Sequence, residues 1–273
     1  MTSSARSRDG MAYQRRAGQG APVVLVHGIP GAALAWQPVV DALPGTVEVV
    51  VPDLLGFGES AVPARLALDT VGAAAQSRAV EGLLDELGLQ GVVLVGHDFG
   101  GPVSILLAHR RPDLVARLVV LSANAFPDTP VPFPLSLTTR PLVGGLAGRV
   151  LFSRPSLLMV LRQGVGSGPP PDAATHLGHR QQRRAIAAIF SGALRQLSEQ
   201  YAPVEAALRG LSLPVVVGWG DRDPFFPATQ GRRTAEAAGA RLRVFPGAGH
   251  FLPHERPVDV AQEIELVLAD GAR

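Results

Sequence analysis

The chain has 273 residues with 25 basic side chains, all of them arginine, and 23 acidic ones, so its net charge is only +2. The arginines recur along the whole sequence, which argues against a nucleic-acid interface built on one basic stripe. Cysteine is absent, so disulfides and thiol chemistry are excluded. We find neither a signal-peptide pattern at the start nor an apolar run of about 18 residues. We therefore expect a soluble, cytoplasmic, bacterial protein.

Apolar, β-branched runs alternate with helical patterns along most of the chain. The predicted strands lie within 22–28, 47–53, 91–98, 114–124, 213–223 and 240–250. The predicted helices lie at 33–43, 70–87, 100–110, 228–238 and 255–268. Strands that are buried on both faces and alternate with helices predict an α/β fold with a mostly parallel central sheet. The functional residues of such a sheet gather at the carboxyl ends of its strands.

Residues 127–210 interrupt this alternation. The segment opens with the proline-rich "FPDTPVPFPLSLTTRPLVGG" and continues with helical patterns that follow "GPPP". We interpret it as a helical cap inserted over the strand ends. The chain then divides into a core domain, 1–126 with 211–273, and a cap, 127–210.

The stretch "VGHDFGG" (95–101) follows an apolar strand and precedes the helical pattern "GPVSILLAHR". In this context the pattern G-x-S-x-G forms a nucleophile elbow, a tight turn that exposes its central residue. Here Asp98 takes the central place, between Gly96 and Gly100. Small flanking residues allow the backbone to turn sharply at this position.

Two further candidate groups follow in the order that the elbow arrangement requires, which is nucleophile, acid and then histidine. "GWGDRDPF" follows a later strand and offers two acids, Asp221 and Asp223. "PGAGH" follows the last strand and ends at His250. Three such groups in order, each directly after a strand, predict a catalytic constellation.

With these motifs the chain resembles α/β-hydrolase-fold enzymes of the aspartate-nucleophile branch, which contains epoxide hydrolases and haloalkane dehalogenases. The resemblance covers roughly 20–126 and 211–268, and it rests on "HGIPG", "PDLLGFGES", "GHDFGG", "GDRD" and "GAGH". It implies an α/β-hydrolase fold with an inserted cap. It also selects Asp223 rather than Asp221 as the acid that orients His250.

The resemblance implies a two-step reaction that needs no organic cofactor. Asp98 is already ionised near neutral pH, so it attacks a saturated carbon directly and forms an ester. His250, oriented by Asp223, then activates the water that hydrolyses this ester. The backbone N–H groups of Phe99 and Ile29 are expected to form the oxyanion hole.

The leaving group is less well specified by the sequence. Haloalkane dehalogenases hold the halide with side-chain N–H donors, and neither Phe99 nor Ile29 offers one. Epoxide hydrolases hydrogen-bond the ring oxygen, typically with two cap tyrosines, whereas this cap has only Tyr201. We rank epoxide opening first and dehalogenation second. Four residues are candidates for substrate contact: Trp36, Tyr201, His176 and His179.

Other functions are compatible with the same sequence. The scaffold also suits an ester or lactone hydrolase, a cofactor-free lyase or cyclase, or a non-catalytic ligand-binding protein. Asp172, His176 and His179 share a helical face at metal-ligand spacing, but we interpret them as a solvated face and expect no metal. As partners we expect a small hydrophobic substrate and water, neither nucleic acid nor membrane, and we leave a homodimer open.

Overall fold

The computed structural model describes residues 2–129, 133, 135–140, 142–165, 177 and 179–270. Within them, eight strands form one sheet. The strands are β1 (Thr2–Arg6), β2 (Ala12–Arg16), β3 (Gln19–Val26), β4 (Val47–Pro52), β5 (Val92–His97), β6 (Val115–Leu121), β7 (Val215–Gly220) and β8 (Arg241–Phe245). Their order is β1-β2-β4-β3-β5-β6-β7-β8. From β4 to β8 the neighbours run parallel. The predicted mostly parallel sheet is thus confirmed.

The first two strands escaped the sequence analysis, which predicted no strand before residue 22. β1 pairs antiparallel with β2, and β2 pairs antiparallel with β4. Their sequences, "TSSAR" and "AYQRR", carry no apolar run, because most β2 side chains are only half-buried at this edge of the sheet. Backbone pairing and the Arg15–Glu48 ion pair, at 2.5 Å, fix this edge.

Helices flank the sheet on both sides. They are α1 (Gln37–Ala42), α2 (Leu68–Val71), α3 (Ala73–Leu87), α4 (Gly100–Arg110), α5 (Gly144–Leu151), α6 (Arg154–Gly164), α7 (Arg180–Arg195), α8 (Leu197–Arg209), α9 (Ala228–Ala238), α10 (Leu252–Glu255) and α11 (Pro257–Ala269). The helices predicted at 100–110 and 228–238 match α4 and α9. The helix predicted at 33–43 is instead a 3-10 turn, Ala33–Trp36, followed by α1.

Successive residues of the central strand β5 pack on opposite faces of the sheet. Leu94 packs in one apolar cluster with residues of α3, α4 and the helices after β6. Val95 packs in a second cluster with residues of α1 and α11. Full burial of one such side chain contributes about 1.5–3 kcal/mol of transfer free energy, so the two clusters hold the layers together. A β-branched run buried on both faces is what the sequence indicated.

The helices α5 to α8 lie between β6 and β7, which is where the sequence placed the cap. The last of them, α8, packs against α4 of the core, so the end of this insertion rests on the helix that follows the elbow. In the described part of the chain no helix combines the length and apolarity that crossing a membrane requires.

Candidate functional site

The elbow between β5 and α4 is strained in the manner that a nucleophile elbow requires. Asp98 has a φ of 51°, the left-handed region that costs a non-glycine residue about 1–3 kcal/mol. A Cβ on Gly96 would lie 2.3 Å from the Gly100 carbonyl oxygen. One on Gly100 would lie 2.3 Å from the Val26 carbonyl oxygen. Only glycines therefore allow the turn that presents Asp98 beyond the sheet edge.

The Asp98 carboxylate is held as an anion. The Ile29 N–H donates to its Oδ1 at 2.6 Å, and His250 Nε2 lies 3.3 Å from its Oδ2. Burial raises the pKa of Asp98, but the hydrogen bond and charge of His250, aided by the Ile29 N–H, outweigh burial and lower that pKa below its usual value. The side chain is still 14% exposed, so it is open to a reacting molecule.

His250 lies between two carboxylates. Its Nδ1–H donates to Asp223 Oδ2 at 2.8 Å, which turns Nε2 towards Asp98. Burial lowers the pKa of His250, but the charges and hydrogen bonds of Asp223 and Asp98 outweigh it and raise that pKa to about 10. The resting site therefore contains an imidazolium flanked by carboxylates at neutral pH.

The two candidate acids in "GDRD" have different surroundings. Asp223 is buried, and its Oδ1 accepts hydrogen bonds from the N–H groups of Phe225 at 2.8 Å and Phe226 at 3.0 Å. Its second oxygen is thereby aimed at His250. Asp221 is exposed and accepts only the Gly247 N–H, at 2.7 Å, among the described residues. The structure thus brings Asp223, not Asp221, to the histidine.

An aromatic shell surrounds His250 and keeps bulk water away. The rings of Phe225, Phe226 and Phe251 meet the imidazole edge-on at centroid distances of 5.0, 5.5 and 5.1 Å. His97 Nε2–H donates to the His250 carbonyl oxygen at 2.8 Å. Burial and the His250 charge lower the pKa of His97 to about 4, so this neighbour stays neutral and positions the His250 backbone.

The loop after β3 is fixed by polar side chains. His27 Nδ1–H donates to the Gly28 carbonyl oxygen at 2.9 Å, and the Leu54 N–H donates to His27 Nε2 at 3.0 Å. A Cβ on Gly28 would lie 2.4 Å from the Asp98 Cβ, so glycine permits the close approach of loop and elbow. His27 therefore braces the loop that carries the Ile29 N–H.

The cap is tied to both sides of this site. The His250 N–H donates to the Gly164 carbonyl oxygen, at the end of α6, at 2.7 Å. From α7, the buried Gln182 Nε2 donates to the Gly31 carbonyl oxygen at 3.3 Å. These two contacts join the cap to the histidine loop and to the loop after β3.

Tyr201 of α8 faces the same region. Burial, followed by the charge of Asp98, raises the pKa of Tyr201, while a side-chain hydrogen bond with Asn124 opposes this rise. Asn124 is buried just beyond β6, and its Oδ1 also accepts the Thr129 hydroxyl at 2.6 Å. The sequence analysis gave Asn124 no role. Its position at the carboxyl end of a strand was the signal that pointed to it.

Other candidates lie elsewhere. Trp36 has no exposed surface and packs with α1 and α11 on the face away from the cap, so the structure does not support its predicted contact with substrate. His179 is exposed ahead of α7, which removes it as a substrate contact in this structure. His176, like Asp172, lies outside the described residues. Ile29 and Phe99 are buried on the cap-facing side, where the pocket lining was expected.

Comparisons with known proteins agree with this architecture. The model of the alpha/beta hydrolase family matches residues 23–263. Epoxide hydrolase 3 of Xenopus tropicalis is 28% identical over 271 residues, which cover 91% of this chain and 70% of that protein. A cis-3-alkyl-4-alkyloxetan-2-one decarboxylase of Shewanella oneidensis is 38% identical over 133 residues, which cover 46% of this chain and 41% of that protein.

A solved structure shows the same fold. The haloalkane dehalogenase DbeA of Bradyrhizobium elkani superposes with a TM-score of 0.82 at 18% sequence identity, covering 100% of this chain and 99% of the other. At this identity the likeness concerns the fold alone. Together with the match over 23–263, it shows that the chain belongs to the alpha/beta hydrolase family.

Proposed function

We propose that this protein is a hydrolase that opens an epoxide, or a related small hydrophobic electrophile, through a covalent ester on Asp98. The observation that carries the proposal is the environment of that carboxylate. Asp98 sits ionised at the elbow, with an N–H on one oxygen and His250 at the other. A nucleophile that is already ionised needs no base for its attack. The partial identity to an epoxide hydrolase supports the same reaction.

In the proposed first step, one Asp98 oxygen bonds to a ring carbon while the ring C–O bond breaks. The ring oxygen takes the proton of the Tyr201 hydroxyl, which the raised pKa keeps protonated. Ester formation removes the Asp98 charge that helps to hold the His250 proton. His250 then gives its proton back to Tyr201 through solvent and becomes a neutral base.

In the second step, water attacks the Asp98 carbonyl carbon and gives a proton to His250. The Ile29 N–H, and with it that of Phe99, stabilises the oxyanion. The intermediate collapses, and the departing alkoxide takes the His250 proton and leaves as the diol. The new carboxylic acid proton passes to His250, which restores the resting pair of ions.

Halide release is the weaker candidate. A buried halide without donors is costly, and its usual donors are side-chain N–H groups. The Trp219 Nε1–H is already donated to the Phe226 carbonyl oxygen at 2.8 Å. Trp36 packs on the opposite face of the sheet. We therefore keep epoxide opening ahead of dehalogenation.

A second candidate substrate is a strained four-membered lactone. It is favoured by the 38% identity to the oxetan-2-one decarboxylase, which acts on such a ring according to its name. A lactone ring carbon bound to oxygen offers Asp98 the same kind of electrophile. Decarboxylation of such a ring yields one alkene and one CO₂, so its products differ from the diol of an epoxide.

A panel of substrates separates these reactions. We propose to incubate the purified protein with aryl and alkyl epoxides, 1-bromoalkanes, β-lactones and aryl esters, and to measure diol, bromide, CO₂ and released phenol. Diol as the main product supports the proposal. Bromide release or CO₂ release without diol would replace it with the corresponding alternative.

Replacing Tyr201 with phenylalanine should lower kcat/KM for an epoxide by about 100-fold or more, because the departing oxygen loses its proton donor. The matched control is Tyr13→Phe, since Tyr13 is the other tyrosine of the chain and lies on β2 at the far edge of the sheet. Thermal unfolding reports whether the fold survives. Equal kcat/KM values for the two variants would remove Tyr201 from the reaction.

Replacing Asp223 with asparagine should lower kcat by roughly 10⁴-fold, because the amide no longer enforces the His250 tautomer. Asp221→Asn, which alters only a loop contact to Gly247, should change kcat by less than about threefold. Steady-state rates on the best substrate of the panel check both. A reversed ranking of the two variants would assign the acid to Asp221.

A further inference from the structure

Charge is unevenly divided between the cap and the rest of the chain. The cap, 127–210, contains nine arginines and four acidic residues, whereas the remaining chain has 16 arginines and 19 acidic residues. Eight of the nine arginines lie within 130–198, together with one acidic residue, Asp172. The eight are Arg140, Arg149, Arg154, Arg162, Arg180, Arg183, Arg184 and Arg195. The arginines do recur along the whole chain, as expected, but the cap carries an excess of them and is the basic part of an otherwise acidic protein.

These arginines gather around one cleft. A cavity of about 980 Å³ between α5, α6 and α7 is lined by Arg140, Arg149, Arg154, Arg180, Arg183, Arg184 and Arg195. Core arginines form ion pairs, such as Arg110 with Glu81 at 2.5 Å. By contrast, Arg149, Arg154 and Arg180 have no ion pair with a carboxylate in the described part of the chain. Their charge is available to an external anion.

An exposed apolar stripe lies beside the cleft. Leu142, Leu146 and Val150 are 99%, 68% and 57% exposed; Leu146 and Val150, four residues apart, share one side of α5, and Leu142 lies in the turn just before it. Val143 and Met159 extend the exposed apolar surface onto the start of α5 and onto α6. We call these five residues together with Arg149 and Arg154 the cap face. Several exposed aliphatic side chains on the two helices whose arginines line the cleft point to an interaction site.

The charge of the cap face restricts what covers it. A symmetric dimer through this face would bring two arginine-rich clefts together, and that repulsion disfavours a second copy. Nucleic acid would use the arginines but not the aliphatic stripe. An anionic bilayer surface uses both, because lipid headgroups attract arginine and the acyl boundary accepts leucine and valine. Such a contact lies at the bilayer surface and needs no spanning helix.

We propose that the cap face docks on the surface of an anionic lipid bilayer. The contact places α5 and α6 at the headgroup level and leaves the sheet in water. It revises the expectation that no membrane takes part. The proposal does not depend on the reaction at Asp98, so measurements of vesicle binding test it without any activity assay.

The test is co-sedimentation of the purified full chain with vesicles of pure phosphatidylcholine and of phosphatidylcholine with 30% phosphatidylglycerol. We expect binding to the anionic vesicles that weakens with added salt. Arg149→Gln and Arg154→Gln should each lower the partition coefficient by about fivefold. Leu146→Gln should lower it as well. The matched controls, Arg232→Gln and Leu266→Gln, change exposed residues of the core helices α9 and α11 and should not.

Several results would overturn the proposal. Wild-type protein that stays in solution with the anionic vesicles removes it directly. Binding that the control variants weaken as much as the cap variants shows non-specific adsorption. A dimer in light scattering that Leu146→Gln dissociates assigns the cap face to a second copy. Binding to duplex DNA at the same salt, without vesicle binding, assigns the arginines to nucleic acid.

Discussion

The variant Asp98→Ala is expected to lose at least about 10⁴-fold in kcat, because the covalent route disappears with the carboxylate. No neighbouring group replaces it, since Ile29 and Phe99 offer only backbone N–H groups at the elbow. The fold should survive, because His250 keeps its hydrogen-bonded ion pair with Asp223 and the flanking glycines stay in place. Initial rates on the best substrate, with thermal unfolding as the fold control, measure both effects.

Isotope transfer tests the covalent step without any substitution. In a single turnover in heavy-oxygen water, the attacking water oxygen should enter the Asp98 carboxyl group, and the product should carry none. Tryptic peptides analysed by mass spectrometry locate the label, since cleavage at Arg78 and Arg110 isolates the elbow. Label in the product with none in Asp98 would mean that water attacks the substrate directly.

The sequence predicted which side chains come together where strand direction alone decides their position. Asp98, Asp223 and His250 each follow a parallel strand, and parallel strands end at one edge of the sheet. Their separation along the chain therefore did not matter. The choice between Asp221 and Asp223 was harder, because the two acids are only two residues apart in one loop. Asp221 faces solvent, whereas Asp223 contacts the histidine.

The sequence failed where the path of a loop decides which face a residue reaches. Trp36 follows the loop that holds Ile29, yet the 3-10 turn directs its ring to the opposite side of the sheet. Asn124 was unassigned because its partner, Tyr201, comes from the cap. A contact between the core and an insertion leaves no periodic pattern in either segment. The polar strand β2, next to the edge strand β1, was missed for a similar reason, since its pairing is made by the backbone.

The variant His250→Gln is expected to form the Asp98 ester and then to stall. The attack of Asp98 needs no base, and pH 8 lies well above the ordinary pKa of an aspartate, which the Ile29 N–H still helps to lower. The hydrolysis of the ester does need one, because water must lose a proton as it attacks. Intact-protein mass spectrometry should therefore show the chain mass plus one substrate mass, at pH 8 and with excess epoxide.

Two control variants define this adduct. His109→Gln, at an exposed position near the end of α4, should turn over normally and show no added mass. The double variant Asp98→Ala with His250→Gln should show none either, which places the adduct on Asp98. If the His250→Gln variant stays folded but is not modified by any substrate of the panel, His250 is needed for ester formation, and its proposed restriction to the second step is wrong.

The pH dependence of the two steps follows from the same contacts. In the free protein, the charges of Asp223 and Asp98 keep the pKa of His250 at about 10, above its ordinary value near 6.5. The attack of Asp98 does not use the His250 proton, which passes to Tyr201 only after the ester has formed, and the raised pKa of Tyr201 keeps that donor protonated, so the rate of ester formation should stay flat up to about pH 10. Ester formation removes the Asp98 charge and lowers the pKa of His250. The second step needs the neutral form, so its rate should rise with pH through that lower value.

Rapid-quench measurement of ester formation and decay separates the two pH profiles. Ester decay that slows as the pH rises would show that neutral His250 is not the base for the second step.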